Sequence, residues 1–248
     1  LKAKVYLVGA GPGDPELLTR KAHRLLQQAD VVIYDRLVSE EILRLVNPFA
    51  QLIYAGKSKG QQDKVQGEIY DLFLRFREHA RVVVRLKSGD PTVFGRCGEE
   101  LAFLQQHGIA AEIVPGVSSA LAGPASAGIP LTLRNVAASF TVLSGHIESV
   151  QHINWSVYKD VDTLIVLMGV ENRANIALAL IEAGRLETEP CAFIERASTV
   201  EERVVESTLG EVAQNAVEVE SPAVFVIGEV VRHRVSADAV RRLASIAC

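Results

Sequence analysis

Short β-branched runs alternate with longer amphipathic stretches through the first half of the chain. Val5-Tyr6-Leu7-Val8 predicts a strand, followed by a glycine turn and a helix over about Pro15 to Gln28. Val31-Val32-Ile33-Tyr34 and Gln51-Leu52-Ile53-Tyr54 predict the second and third strands, with a helix over about Lys64 to Glu78 after them. Arg81 to Leu86 reads as a fourth strand, Leu101 to Gln106 ends another helix, and Ala111 to Val114 runs into Pro115-Gly116. Alternation of this kind implies a parallel sheet covered by helices.

Near Gly128-Ile129-Pro130-Leu131 the rhythm changes, and a domain junction is expected at 130–137, dividing the chain into 1–132 and 133–248. Beyond it, Ser139 to Leu143, Thr163 to Leu167, Ala192 to Ile194, Arg203 to Val205 and Ala223 to Ile227 read as strands, some of them antiparallel. Helices are expected over about Asn172 to Ala183 and Asp238 to Ile246. The expected fold class is α/β: an N-terminal domain with a mostly parallel sheet, a C-terminal domain with a mixed sheet, and a cleft between them.

Composition narrows the function classes. The 248 residues are 48% hydrophobic and 23% charged, with 26 basic and 30 acidic side chains for a net charge of −4. That balance suits a globular protein and weighs against a nucleic-acid-binding module. The opening Leu-Lys-Ala-Lys-Val-Tyr-Leu-Val-Gly stops its apolar run at glycine, so no signal peptide is expected. Cys97, Cys191 and Cys248 are far apart and odd in number, which favours reduced thiols in the cytoplasm over a disulfide framework. The histidines are scattered as well, and no metal is expected.

Candidate chemistry lies in the turns. Gly9-Ala10-Gly11-Pro12-Gly13-Asp14-Pro15 follows a strand and precedes a helix, where a ligand can approach backbone. The third glycine of a dinucleotide fingerprint is replaced by Asp14, a carboxylate that repels phosphate, and two prolines remove N–H donors. The loop therefore suits a ligand without phosphates, such as a nucleoside, or else is a tight turn that holds nothing. Ser88-Gly89-Asp90-Pro91 and Pro115-Gly116-Val117-Ser118-Ser119-Ala120 are further strand-to-helix turns. All three should share the carboxyl edge of the sheet, where ligands bind in open α/β folds.

Together these stretches resemble the tetrapyrrole methylase family, most closely its branch acting on uroporphyrinogen III. The matching residues are 8–19, 29–39, 83–91, Val-Phe-Gly-Arg at 93–96, Gly-Glu-Glu at 98–100, 114–120, 127–132, Ser-Gly-His at 144–146, Leu-Met-Gly-Val at 167–170, Ser-Pro-Ala at 221–223 and 227–231. The glycine loop and Gly-Asp-Pro recur across the wider family, whereas Tyr34-Asp35-Arg36-Leu37-Val38 and the Arg96 stretch look particular to this branch.

The resemblance implies an S-adenosylmethionine cofactor between the domains. Methyl groups would go to C-2 and C-7 of uroporphyrinogen III, giving precorrin-2 and S-adenosylhomocysteine in a cytoplasmic homodimer. By the same resemblance, Pro12, Ser88, Gly89, Asp90, Val93, Ser118, Ser119, Met168, Ala197 and Ala223 would touch the cofactor. Asp35 and Lys57 would be proton acceptor and donor, with Lys57 alternatively gripping a substrate carboxylate. Arg96 with Glu99 would contact the substrate, and Arg134 would be a second anchor. Read from the residues alone, Asp90 is equally a helix N-cap, Met168 a core residue, and Arg96–Glu99 an exposed helical ion pair.

An octacarboxylate substrate requires a basic trough, for which Arg36, Lys57, Lys59, Arg85, Lys87, Arg96 and Arg134 are the candidates. Cys97, although beside Arg96, is expected to be inert. The chain departs from the family pattern at Ser88, Cys97, Leu133, Asn135 and Arg196. Two other readings stay open: a different corrin-ring methylase of this fold, and a non-catalytic nucleoside- or tetrapyrrole-binding module.

Overall fold

The computed structural model describes residues 3–56, 62–146, 150 and 152–235. Lys57, Lys59, Cys248 and the helix expected over Asp238 to Ile246 lie outside the described residues. The chain divides into two compact units between Ser118 and Ser119, ahead of the junction expected at 130–137.

In the first unit, strands β1 (Lys4–Gly9), β2 (Val31–Tyr34), β3 (Gln51–Tyr54), β4 (Val82–Lys87) and β5 (Ala110–Val114) form one sheet in the order β3-β2-β4-β1-β5. Every pairing is parallel, with Tyr6 of β1 opposite Val84 and Glu112. Helices α1 (Arg20–Gln28), α2 (Glu40–Leu43), α3 (Gln62–Phe76) and α4 (Cys97–Gln106) supply the layers that cover it. Strand alternation sorts the core into two faces. Leu7, Ile33 and Val83 pack with Ile69 and Phe73 of α3 and Leu104 of α4. Val8, Val32, Val84 and Leu86 pack with Leu25 and Leu26 of α1.

The helix expected from Pro15 is interrupted. Asp14 accepts a hydrogen bond from the Glu16 backbone and closes a single 3-10 turn over Pro15–Leu17. Leu18 is extended, and Thr19 then caps α1 by accepting from the Ala22 backbone. At the amino end of the sheet, Asp30 Oδ2 accepts from the backbone N–H groups of Arg81 and Val82 at 2.7 and 2.9 Å, tying β2 to β4.

The second unit holds α5 (Ser119–Ser126), β6 (Phe140–Ser144), β7 (Thr163–Leu167), α6 (Arg173–Glu182), β8 (Pro190–Glu195), β9 (Arg203–Thr208), α7 (Leu209–Ala213) and β10 (Ala223–Ile227). Its sheet runs β6-β7-β10-β8-β9, parallel between β6 and β7 and antiparallel elsewhere. Helix α5 belongs here because Ala120 and Ala127 sit in a core with Val224 and Val226, and Gly123 lies against Val224 and Ala197. The sheet's other face packs Phe193 against Phe225, with ring centroids 4.1 Å apart, under Ile176 and Leu180 of α6. Asp162 repeats the role of Asp30: its Oδ2 accepts from the backbones of Ala138 and Ser139, both at 2.9 Å, ahead of β6. No helix among the described residues is long and apolar enough to cross a membrane.

Candidate functional site

Three turns of the first unit meet at the carboxyl ends of β1, β4 and β5. Gly11 and Gly89 exchange backbone hydrogen bonds, Gly11 donating at 3.1 Å and Gly89 at 2.7 Å. Ala10 N–H donates to the Lys87 carbonyl at 2.7 Å, so the first two turns continue the ladder beyond the strands. A Cβ on Gly9 would stand 2.6 Å from the Gly89 carbonyl oxygen and 2.5 Å from the Gly116 nitrogen. Only glycine permits backbones to approach this closely.

Asp90 locks the arrangement. Its Oδ2 accepts from the Gly116 backbone at 3.0 Å and its Oδ1 from the Thr92 backbone at 2.8 Å. It therefore clamps the turns after β4 and β5 together and closes a local turn. It caps no helix, because residues 91–96 are irregular and α4 begins at Cys97. Pro12, Ser88, Asp90 and Val93 are partly accessible at this edge, while Gly89 and Ser118 are buried.

The residues present fit a cationic nucleoside better than a phosphorylated one. Between Gly9 and Pro15, and between Ser88 and Phe94, the turns carry Asp14 and Asp90 and no basic side chain. Carboxylates beside a sulfonium are attractive, and beside a phosphate repulsive. Among the described residues, no group of three or more His, Cys, Asp or Glu side chains could hold a metal ion.

Asp35 follows β2 in register with Val31 and Ile33, the face that packs on α3 and α4. Arg85 reaches it from β4, with Nη2 2.5 Å from Asp35 Oδ1. Arg85 and Lys87 are only 1% and 4% exposed, which corrects the expectation that both line an open basic trough. The period of two places them on the same face as Val83, beneath α4, where the carboxylate of Glu100 receives them. Glu100 Oε1 accepts from Lys87 Nζ at 2.8 Å and from Arg85 Nε at 3.3 Å. Burial, reinforced by the Arg85 guanidinium, pushes the Lys87 ammonium below the ordinary lysine range. Arg36 is exposed. Glu100 carried no assignment from sequence, although the matched Gly-Glu-Glu run contained it.

Arg96 opens α4 from a left-handed conformation (φ 54°), two residues after Phe94 (φ 52°). A left-handed backbone is uncommon outside glycine and marks a constrained turn. The Arg96 guanidinium forks onto Glu99, Nε to Oε1 at 2.9 Å and Nη2 to Oε2 at 2.6 Å, with both side chains open to solvent. Cys97 is buried beneath, and burial raises its thiol pKa, as expected of an inert cysteine.

In the second unit, Met168 follows β7 with φ 59° and is 51% exposed, so it is not a core residue. Beside it, a Cβ on Gly145 would stand 2.5 Å from Gly169 Cα, a second close glycine approach at the ends of parallel strands β6 and β7. Ala197 is buried between Arg196 and Ser198, both left-handed, and Ala223 begins β10 opposite Glu195. Arg196, a departure from the family pattern, pairs with Glu195, Glu201 and Glu220. Arg134 is exposed in a tight turn closed by the Leu133 and Ala137 backbones, with Asn135 left-handed.

The family model for Tetrapyrrole (Corrin/Porphyrin) Methylases matches residues 4–213. The uroporphyrinogen-III C-methyltransferase of Priestia megaterium is 44% identical over 233 residues, 92% of this chain and 98% of its own. That of Pseudomonas aeruginosa is 45% identical over 239 residues, 95% of this chain and 97% of its own. A crystal structure of uroporphyrin-III C-methyl transferase from Thermus thermophilus complexed with S-adenyl homocysteine superposes with a TM-score of 0.83 at 50% identity, covering 93% of this chain and 99% of that one.

Proposed function

The chain belongs to the tetrapyrrole methylase family, and from that premise we propose that it methylates two pyrrole carbons of uroporphyrinogen III to give precorrin-2, with S-adenosylmethionine as methyl donor. The structural observation behind this reading is the junction where Gly9, Gly89 and Gly116 touch at the strand ends, clamped by the Asp90 carboxylate.

When bound, S-adenosylmethionine supplies an electrophilic methyl whose bonding pair stays on sulfur, leaving S-adenosylhomocysteine. By the family resemblance, Pro12, Ser88, Gly89, Asp90, Val93, Ser118, Ser119, Met168, Ala197 and Ala223 are the residues proposed to hold it. The attacking carbon of the reduced macrocycle is enamine-like, so the chain's task is alignment and proton management. As the new carbon–carbon bond forms, the macrocycle becomes cationic and must lose a proton. Asp35 is proposed to take it, and Lys57, which lies outside the described residues, to donate one or to grip a carboxylate. Arg96, steered by Glu99, and Arg134 are proposed to anchor substrate carboxylates, for which guanidinium forks are suited. The reading carries with it a cytoplasmic homodimer, two points that rest on the resemblance.

Incubation with radiolabelled S-adenosylmethionine and uroporphyrinogen III tests the proposal. The expected result is two methyl groups per macrocycle. Tight cofactor binding with no incorporation would favour a binding module instead, and methylation of a later corrin intermediate alone would favour another methylase.

A further inference from the structure

Of the quartet Asp35, Arg85, Lys87 and Glu100, the last three are buried. Arg85 is among the largest fully buried side chains of the chain, and its guanidinium spans two carboxylates, Asp35 at the open edge and Glu100 behind it. The Asp35 side chain is 28% exposed while that of Glu100 is 0% exposed, so the pair runs from the interior to the surface. Asp35 Oδ1 is committed to Arg85, which leaves Oδ2 as the atom able to take up a proton.

Glu100 answers two buried cations with only one of its oxygens. Its Oε1 gathers Lys87, Arg85 and Gln66, whereas its buried Oε2 has no hydrogen-bond partner among the described residues. An unsatisfied buried carboxylate oxygen is costly, and an apolar replacement of the whole Arg85–Lys87–Glu100 cluster would serve stability as well or better. Such groups call for another explanation.

We infer that Arg85, held from behind by Glu100, is a positioning residue that fixes the rotamer of Asp35 at the carboxyl edge of the sheet. The inference rests on the reading of Asp35 as proton acceptor. It goes beyond that reading by assigning work to two buried residues outside the set proposed to hold the cofactor.

The test is a double-mutant cycle on the full chain, with kcat and KM for methylation, S-adenosylhomocysteine affinity by calorimetry, and thermal unfolding measured for each variant. Asp35→Asn is expected to lower kcat about a hundredfold or more. Arg85→Lys, which keeps the charge and loses the fork, is expected to lower kcat about tenfold with KM and S-adenosylhomocysteine affinity retained. In the Asp35→Asn background the same change should alter kcat by no more than about twofold, because the group it positions is gone. Glu100→Gln preserves shape and should repeat the pattern, which keeps the test available if Arg85→Lys fails to fold. Equal fold-losses in both backgrounds, or unchanged kcat in Arg85→Lys and Glu100→Gln, would overturn the positioning role and leave the Asp35 reading standing. Full activity in Asp35→Asn would overturn both.

Discussion

Gly9 and Gly116 pack backbone to backbone, so closely that a Cβ on Gly116 would stand 2.8 Å from the Gly9 carbonyl carbon. Neither neighbour can yield, because each is main chain in a ladder or in the Asp90 clamp. Gly116→Ala should therefore destabilise the protein by about 1–3 kcal/mol through overpacking. It should also weaken S-adenosylhomocysteine binding, since the turns must separate. Thermal unfolding and calorimetry check both, and an unchanged affinity would detach this junction from the cofactor.

Arg96→Ala removes a guanidinium held by Glu99 at the mouth of α4. An exposed i,i+3 pair contributes little to stability, about 0.3–0.5 kcal/mol. The expected outcome is an unfolding midpoint near that of the unaltered chain, retained S-adenosylhomocysteine affinity, and a marked loss of kcat/KM for uroporphyrinogen III. Equal losses of cofactor affinity and turnover would remove Arg96 from the substrate side.

Met168 holds a left-handed conformation that an L-residue disfavours by about 1–2 kcal/mol. Met168→Gly relieves that strain while giving the unfolded chain more freedom, so net stability should change by less than about 1 kcal/mol. Loss of the exposed thioether should nevertheless weaken S-adenosylhomocysteine binding. A variant that binds as tightly as the unaltered chain would show that Met168 is conformational only.

Glu112 on β5 receives hydrogen bonds from the Lys21 and Lys4 ammonium groups, which hold its carboxyl down to about 2. A depressed carboxylate stabilises the folded state above its unfolded value, 4.5 here, and ceases to do so as pH falls toward 2. The three groups are near the surface, so the effect should be small and should shrink in salt. Urea unfolding of Glu112→Gln beside the unaltered chain should show a gap at pH 7 that narrows below pH 4.5. A gap independent of pH would contradict the assignment.

Glu195 is fully buried in β8 and takes both arms of Arg203 at 2.7 Å, with a third bond at 2.7 Å from the Glu220 backbone. Arg203 is the main reason its carboxyl lies below the usual range. Glu195→Gln cannot satisfy all these donors and should cost about 2 kcal/mol. A lowered urea midpoint with unchanged slope is the expected signature.

Much of this architecture is legible in the chain. Val31–Tyr34, Gln51–Tyr54, Thr163–Leu167 and Ala223–Ile227 form the strands expected, because β-branched runs bounded by turn residues admit few alternatives. Helix α7 is harder to see: its five residues make little more than one turn, too few for a repeat to register, although Thr208 and Glu211 form the capping box that marks its start. The position of α5 depends on apolar contacts with β10 that no local pattern encodes. Arg85 and Lys87 mislead for a simpler reason. Buried charge is rare, so charge is read as surface. The alternation Val83-Arg85-Lys87, set beside Val31-Ile33-Asp35, nonetheless places them inward once the two strands are neighbours.

Asp30 and Asp162 each bind a pair of backbone amides at the starting ends of the strands they join, opposite the turns that carry the proposed chemistry. Each sheet is thus anchored at its starting end by bonds independent of the turns at the other. Loop substitutions that spare the glycine contacts and the Asp90 clamp can retune which macrocycle is accepted without loosening the scaffold, and reinforcing the anchored ends should harden the protein without blunting its catalysis.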